Sequence, residues 1–251
     1  MLRAVGEPTF WERFAEAVRH ILPFDDLVVL SYPADRAPYC TFDVLERERH
    51  DVLIEDYLAG PYLLDPFFAL ATQTDHTGAF ALYDVSPDKF RSTEYFKAHY
   101  SRTGIRDELG LFMRRNRQCD VISLLRTGES GRYSRSEIAD VQDRSAEWTA
   151  AAQLHLDRAA GPHRTAGPSN QRWTFADALG GEEQRLSPRE AEIAELILRG
   201  HSSLSIALTL DIVEGTVKIH RKNIYRKLKI SSQAELFSYF LSHFLGRGVK
   251  S

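Results

Sequence analysis

Between Ile212 and Ile230 the chain carries Lys218, Arg221, Lys222, Arg226, Lys227 and Lys229 against a single Glu214. Placed on a helix at ~100° per residue, Lys218, Lys222, Arg226 and Lys229 share one side, with Ile219 beside them. Val217, Ile224 and Leu228 take the other side, so that side must face a core. Exposed helices commonly alternate charge sign, because opposite charges four residues apart stabilise them by ~0.2–0.5 kcal/mol per pair. Stacked cations are the costly arrangement, and a polyanion that covers them removes the cost. A solvated basic face is the plainer explanation, and it leaves the stacking unexplained. The balance of charge agrees with the polyanion. Residues 1–160 hold 19 basic and 26 acidic side chains, a net −7, whereas residues 161–251 hold 13 and 9, a net +4. The C-terminal part alone is therefore fitted for phosphate.

The first 160 residues offer different chemistry. Asp65–Pro66 reads either as a helix cap with proline at the first helical position or as a carboxylate that accepts an N–H from a ligand. Asp107 interrupts an apolar strand face of Ile105, Leu109, Leu111 and Met113, and a buried carboxylate needs a partner, either an arginine near Arg106 or Arg126 or a ligand. Aromatic residues crowd the same region, among them Tyr57, Tyr62 and Phe67; most must be core, and pockets are lined by such residues with a few polar groups between them. The candidate ligand set is thus Tyr57, Tyr62, Asp65, Phe67 and Asp107. His50, His76 and His99 lack metal-ligand spacing, Cys40 and Cys119 stand alone, and no nucleophile–base order is visible. Neither an enzyme, nor a metal site, nor a cofactor is expected.

The elements that position these groups follow from period and punctuation. Phe10, Phe14, Val18 and Ile21–Leu22 give a helix over 9–22 closed by Pro23. Strands are expected at 27–32, 39–45, 105–115 and 120–126, the last two flanking a hairpin at 116–118. Residues 50–74 read as helix broken at Gly60–Pro61 and Asp65–Pro66. Ser86–Pro87 reads as a helix start, Ser92–Ser101 as a further helix, and Ser134-x-x-Glu137 as a capping box opening a long helix to about Ala159. The expectation is an α+β chain: an N-terminal α/β/α sensory sandwich with a mainly antiparallel sheet (1–160), a Gly/Pro-rich linker (161–185) and an all-α four-helix helix-turn-helix domain (186–251). Trp173, Phe175 and Leu179 make the linker too apolar for a tether, and they are expected to dock one domain on the other or to pack on the C-terminal core. A receiver domain fits less well, since it needs strands and helices in alternation. No apolar run approaches the ~20 residues of a membrane helix. The N-terminal MLRAVGEPTF lacks a signal-peptide core, so a cytoplasmic protein is expected.

Helix starts in the C-terminal module are locally specified: Ser187-Pro188-Arg189-Glu190, then Ser202, then Ser232 with Glu235. With Gly200, Ile206–Ala207, Glu214-Gly-Thr-Val-Lys-Ile-His220, Asn223 and Lys227–Leu228, the segment 186–237 closely resembles the LuxR/FixJ/NarL-type helix-turn-helix. The resemblance implies that Lys218, Ile219 and Lys222 face base edges, that Thr216, His220, Asn223 and Lys227 hold the DNA backbone or support the helix, and that a homodimer binds an inverted repeat in double-stranded DNA. Arg226 joins this set by its place on the basic side. The fourth helix often makes the dimer contact in that family, and Tyr239, Phe240 and Phe244 suit it. Two positions depart from the pattern: Val213 stands where a capping Ser or Thr is usual, and Leu204–Ser205 replaces a charged pair. Asp65–Pro66, Phe96 and Gly104–Ile105 give the N-terminal part a fainter similarity to the autoinducer-binding domain of quorum-sensing regulators, whose matching Asp receives the amide N–H of an acyl-homoserine lactone. The usual pocket Trp and Tyr are displaced, with Tyr57 and Tyr62 nearest, so a GAF- or PAS-like sensor of another amine- or amide-bearing molecule fits equally. The alternative is a response-regulator-like factor with a degenerate N-terminal domain controlled by a protein partner.

Overall fold

The computed structural model describes residues 2–73, 75–115, 117–158, 165–166, 174–179 and 186–245. Helix α1 (Phe10–Arg19) buries Phe10, Phe14 and Val18, one apolar side at i, i+4 spacing. Strands β1 (Asp26–Pro33) and β2 (Tyr39–Asp43) pair antiparallel, with a bulge between Val29 and Leu30. Helix α2 (Arg47–His50) passes into a π-helical turn, Asp51–Asp56, and a 3-10 turn at Pro61–Leu64 leads to α3 (Pro66–Gln73). Strand β3 (Gly78–Ala81) and helix α4 (Leu82–Val85) follow, then a second π-helical turn, Phe96–Ser101. The long hairpin β4 (Ile105–Arg115) and β5 (Gln118–Thr127) ends the sheet's main part, and α5 (Arg135–Arg158) runs behind it.

The six-stranded sheet has the order β3-β4-β5-β1-β2-β6, every neighbour antiparallel, where β6 is Thr165–Ala166. One face carries Leu27, Val29, Leu109, Leu111, Met113, Ile122 and Leu124 against α1 and α5. The other carries Val28, Leu30, Phe112, Val121 and Leu125 against the helical turns of residues 53–100. This is the expected α/β/α sandwich. One local expectation fails. Ser86 ends α4 instead of starting a helix: its backbone is extended, as the residue before a proline prefers, and its hydroxyl donates to the Leu82 carbonyl. The strand β3 had no counterpart in the sequence reading, being only four residues long.

The C-terminal helices are α6 (Phe175–Leu179), α7 (Pro188–Arg199), α8 (Ser203–Thr209), α9 (Glu214–Leu228) and α10 (Gln233–Leu245). The stretch expected as linker thus supplies a strand and a helix; Trp173 lies outside the described residues. Ile193, Ile197, Ile206, Val217, Ile224, Leu228, Leu236 and Phe240 form their core, and this core is continuous with one face of the sheet domain. Gly200 makes the junction. It ends α7 in the left-handed region (φ +98), and its carbonyl accepts the Lys89 N–H at 2.8 Å. A Cβ there would stand 2.7 Å from the Phe90 Cα, so the position needs glycine for its backbone angle and for the close approach. Asp88 accepts the Ser202 N–H at 2.9 Å, and the Phe244 ring closes on Gly60.

Candidate nucleic-acid interface and candidate ligand cavity

Helix α9 is held by chemistry at both ends of its core side. Val217, Ile224 and Leu228 are buried. The preceding turn needs Asp211 in the left-handed region (φ +51), which brings the Ile212 N–H onto the Ala207 carbonyl and sets α9 across α8. Val213 occupies the cap position without any side-chain hydrogen bond, as its apolar side chain dictates. On the outer side Thr216, Lys218, Lys222 and Arg226 are exposed, and Ile219 is 63% exposed between them. Lys218 reaches Glu214 at 2.8 Å, and Arg226 donates to the Asn223 side-chain oxygen at 3.2 Å. His220 is half-buried, its Nδ1 without a hydrogen-bond partner. Lys227 differs from the rest: its Nζ donates to the buried Glu190 at 2.5 Å, tying α9 to the start of α7. Desolvation raises the Glu190 pKa, but the bonds from Lys227 and Ser187 outweigh it and hold the carboxyl below its usual range. Arg221 turns inward, to the Tyr225 hydroxyl and Gln233.

Of the five candidate ligand residues, the fold brings two to one cavity. Tyr57, Asp65, His99, Glu108 and Ser123, with apolar walls including Leu30, Leu53 and Leu125, enclose about 20 Å³ between the sheet and the two π-helical turns. Asp65 is fully internal. It accepts the Tyr57 hydroxyl at 2.7 Å and the Phe67 N–H at 2.8 Å, and Tyr57 in turn meets the Tyr32 hydroxyl at 2.7 Å. Asp65 caps α3 through the Phe67 N–H, and the same carboxylate lines the cavity. Tyr62 and Phe67 are buried beside the cavity, packed edge-on against Phe68 and Phe112 respectively.

Asp107 is not in this cavity. It lies on the α5 side of the sheet, where its carboxylate accepts the Tyr133 N–H at 3.0 Å and the Glu108 N–H at 3.1 Å. Of the arginines offered as its partner, Arg126 pairs instead with Glu137 at 2.6 Å. A bulge between Ile105 and Asp107 sends Ile105 to the opposite face from Asp107. The carboxylate that does enter is the next residue, Glu108, which accepts the Tyr100 hydroxyl at 2.8 Å. Burial, and then the neighbouring charge of Asp65, push the Glu108 carboxyl up to about 8. Burial raises Asp65 to about 6, against the opposing hydrogen bonds from Tyr57 and the amides of Phe67 and Phe68. Burial also lowers His99 to about 4, which keeps its ring neutral. From Asp65 the chain continues directly into α3, whose Pro66, Ala69 and Leu70 line a cleft of about 380 Å³ shared with Leu196, Arg199 and His201 of the C-terminal module.

Residues 184–240 match the family described as bacterial regulatory proteins, luxR family. An HTH-type transcriptional regulator of the exeN 3′ region of Aeromonas salmonicida is 33% identical over 190 residues, which span 72% of this chain and 95% of that protein. The chain belongs to the LuxR family. As a LuxR-family transcriptional regulator it shares its C-terminal module widely: the response regulator protein TodT of Pseudomonas putida is 49% identical over 53 residues, only 23% of that protein. The sheet domain has its own likeness, in fold, to the VqsR LBD domain of Pseudomonas aeruginosa. There the TM-score is 0.56 at 24% identity, covering 62% of this chain and 92% of that one. The antiparallel sheet leaves no room for the receiver-like alternative, which needs a parallel one. Among the described residues no group of side chains could hold a metal ion, and no helix is long and apolar enough to cross a membrane.

Proposed function

We propose that this LuxR-family regulator binds an inverted-repeat promoter site as a homodimer and that a small molecule in its N-terminal domain controls the binding. Residues 1–160 are the sensor, 161–185 the connection and 186–251 the DNA-binding domain. Lys218, Ile219 and Lys222 read base edges, Thr216 and Arg226 contact phosphates, and His220, Asn223 and Lys227 support the helix. The observation that carries this assignment is the two-sidedness of α9, three buried aliphatic residues opposite an exposed row of cations. The ligand, an acyl-homoserine lactone or an amine- or amide-bearing metabolite, meets Asp65. The helix that starts there forms the wall of the cleft against the DNA-binding module, so a shift of Asp65 moves the surface on which that module rests.

The test is binding of the full chain to a sequence selected from random duplex DNA, read by fluorescence anisotropy at several salt concentrations. The expected slope of log K against log salt corresponds to several phosphates neutralised. A protein that shows no preference among duplexes and no salt dependence would overturn the DNA-reading assignment. Thermal-shift screening of the same chain against lactones, amines and amino acids tests the sensor, since a ligand that binds only the folded state raises its stability by mass action.

A further inference from the structure

We infer that the cleft between α3 and the DNA-binding module is a receptor site for a small apolar carboxylate, which holds the two domains together when bound. The inference goes beyond the Asp65 cavity and stands whether or not that cavity takes a ligand. The cleft has a volume of about 380 Å³, which suits a small organic molecule. Leu64, Pro66 and Leu70 line it from the sensor, with Val85 and Pro87 at the end of α4, and Leu196 of α7 adds an apolar wall from the DNA-binding module. These walls suit an apolar body and leave recognition of a polar group to few side chains.

The polar group that lines the same cleft is Arg199, the last residue of α7. Its side chain is only 12% exposed, and its guanidinium lies over the Phe175 ring of α6 at 5.2 Å. Glu195 takes one nitrogen at 2.9 Å, whereas Nε is buried without a hydrogen-bond partner. Burial pulls the Arg199 pKa down against the opposing charge of Glu195, and burial likewise pushes Glu195 up. The ion pair therefore does not make good the hydration that either group has lost. Among the described residues no Asp or Glu lines the cleft. An acceptor that enters meets an unused N–H donor on an under-compensated cation. A carboxylate meets both needs, with an oxygen for Nε and a negative charge beside a guanidinium that burial has stripped of solvent. His201 also lines the cleft, its Nδ1 held by the Ser205 hydroxyl at 2.8 Å. Burial lowers its pKa, so its ring is neutral at pH 7 and the recognition of charge falls to Arg199.

A molecule in this cleft touches both domains, because α3 and α4 belong to the sensor and Leu196, Arg199 and His201 to the DNA-binding module. The border beside it carries two further links, the Lys89 N–H on the Gly200 carbonyl and the Ser202 N–H on Asp88. Gly200 follows Arg199 directly in the chain. A carboxylate anchored on Arg199 and packed against α3 therefore stabilises the docked arrangement by mass action, and these two amides report it.

The experiment is calorimetry and thermal shift on the full chain at pH 7 with phenylacetate, hexanoate and octanoate, with phenylacetamide and octanamide as uncharged controls. The expected result is saturable stabilisation by at least one carboxylate and by neither amide. Arg199→Gln is expected to weaken binding tenfold or more. Ala69→Trp, which fills the cleft from α3 and leaves Arg199 in place, is expected to abolish it. Glu195→Gln removes the competing carboxylate and is expected to strengthen binding several-fold. With the carboxylate bound, hydrogen exchange at the Lys89 and Ser202 amides is expected to slow several-fold. No binding of any carboxylate, equal binding of the amides, or unchanged affinity in Ala69→Trp or Arg199→Gln would overturn the site. Unchanged or weaker binding in Glu195→Gln would overturn Arg199 as its anchor. Binding without slower exchange at Lys89 and Ser202 would overturn the bridging of the two domains. None of these results bears on the Asp65 cavity, whose own ligand would bind Ala69→Trp unchanged.

Discussion

The molecule keeps unbalanced charge in two places, and it treats them oppositely. On α9 Lys218, Lys222 and Arg226 stand in water, where each is solvated and their mutual repulsion is screened over about 10 Å. Beneath the sheet, Asp65 and Glu108 are removed from water, and the burial that forbids solvation also forbids screening. The exposed set costs little while it waits for a polyanion. The buried set is costly until a proton or a cation arrives. A surface charge cluster therefore signals what the protein binds, and an internal one makes the fold itself depend on what is bound.

The sharpest way to test that difference is pH. A carboxyl whose pKa is raised in the folded state holds its proton more tightly there than when unfolded. The stability that Glu108 contributes is complete below its unfolded value of ~4.3 and is lost as pH rises through about 8. The loss grows across that window as the unfolded chain gives up a proton that folded Glu108 retains, and Asp65, raised by the same burial, adds to it at lower pH. Glu108→Gln keeps the Tyr100 bond and removes the titration. Urea unfolding from pH 5.5 to 8.5 is expected to show wild type losing stability relative to this variant as pH rises. The reverse slope would mean that a cation of the protein already neutralises the pair.

The exposed cluster is expected to behave otherwise. Lys222→Ala should leave folding unchanged and cost ~1–3 kcal/mol of binding to the selected sequence, with discrimination blurred at one base position. Equal losses on selected and random duplex would remove Lys222 from base reading. Lys227→Ala marks the boundary between the two kinds of charge. Because Lys227 is the counter-ion of the buried Glu190, its removal should cost about 1–2 kcal/mol of stability in urea unfolding. A loss of DNA affinity with unchanged stability would move Lys227 to the phosphate-binding set.

The two clusters were not equally legible in the sequence, for the same physical reason. A surface helix has one buried side, so Val217, Ile224 and Leu228 fix the rotation of α9 and hence which cations face outward. Capping boxes are equally local: Ser187 with Glu190 and Ser134 with Glu137 form as their spacing requires. In a sheet covered on both faces, alternation says which residues share a face but not which face holds a cavity. Leu109, Leu111 and Met113 do share a face with Asp107, yet the cavity belongs to Glu108, Ser123, Leu125 and their neighbours on the opposite face. Ile105 changes sides at a bulge that no residue type announces. Ser86–Pro87 misled for a further reason: a serine before a proline suits a helix start, and the proline equally forces the preceding residue out of a helix that is ending.

The smallest expected effect is at the start of α9, where the exposed cluster meets the backbone. Val213 is 75% exposed and makes no cap, so amide groups in the first turn lack the side-chain acceptor that Ser187 and Ser202 supply to α7 and α8. Val213 already has the extended backbone a cap residue needs (φ −76, ψ 141), so Val213→Ser requires no rearrangement. Its hydroxyl should accept the Thr216 N–H, which now donates to the Val213 carbonyl at 2.8 Å, and stabilise the protein by ~1 kcal/mol or less in urea unfolding. Unchanged stability in Val213→Ser would mean that the bond from the Thr216 N–H to the Val213 carbonyl already satisfies that amide. A gain of stability with unchanged DNA affinity would show that the apolar residue serves no contact. A gain of stability with weaker binding would instead mean that Val213, beside the row of cations, touches the DNA and is kept for that contact at the expense of the helix.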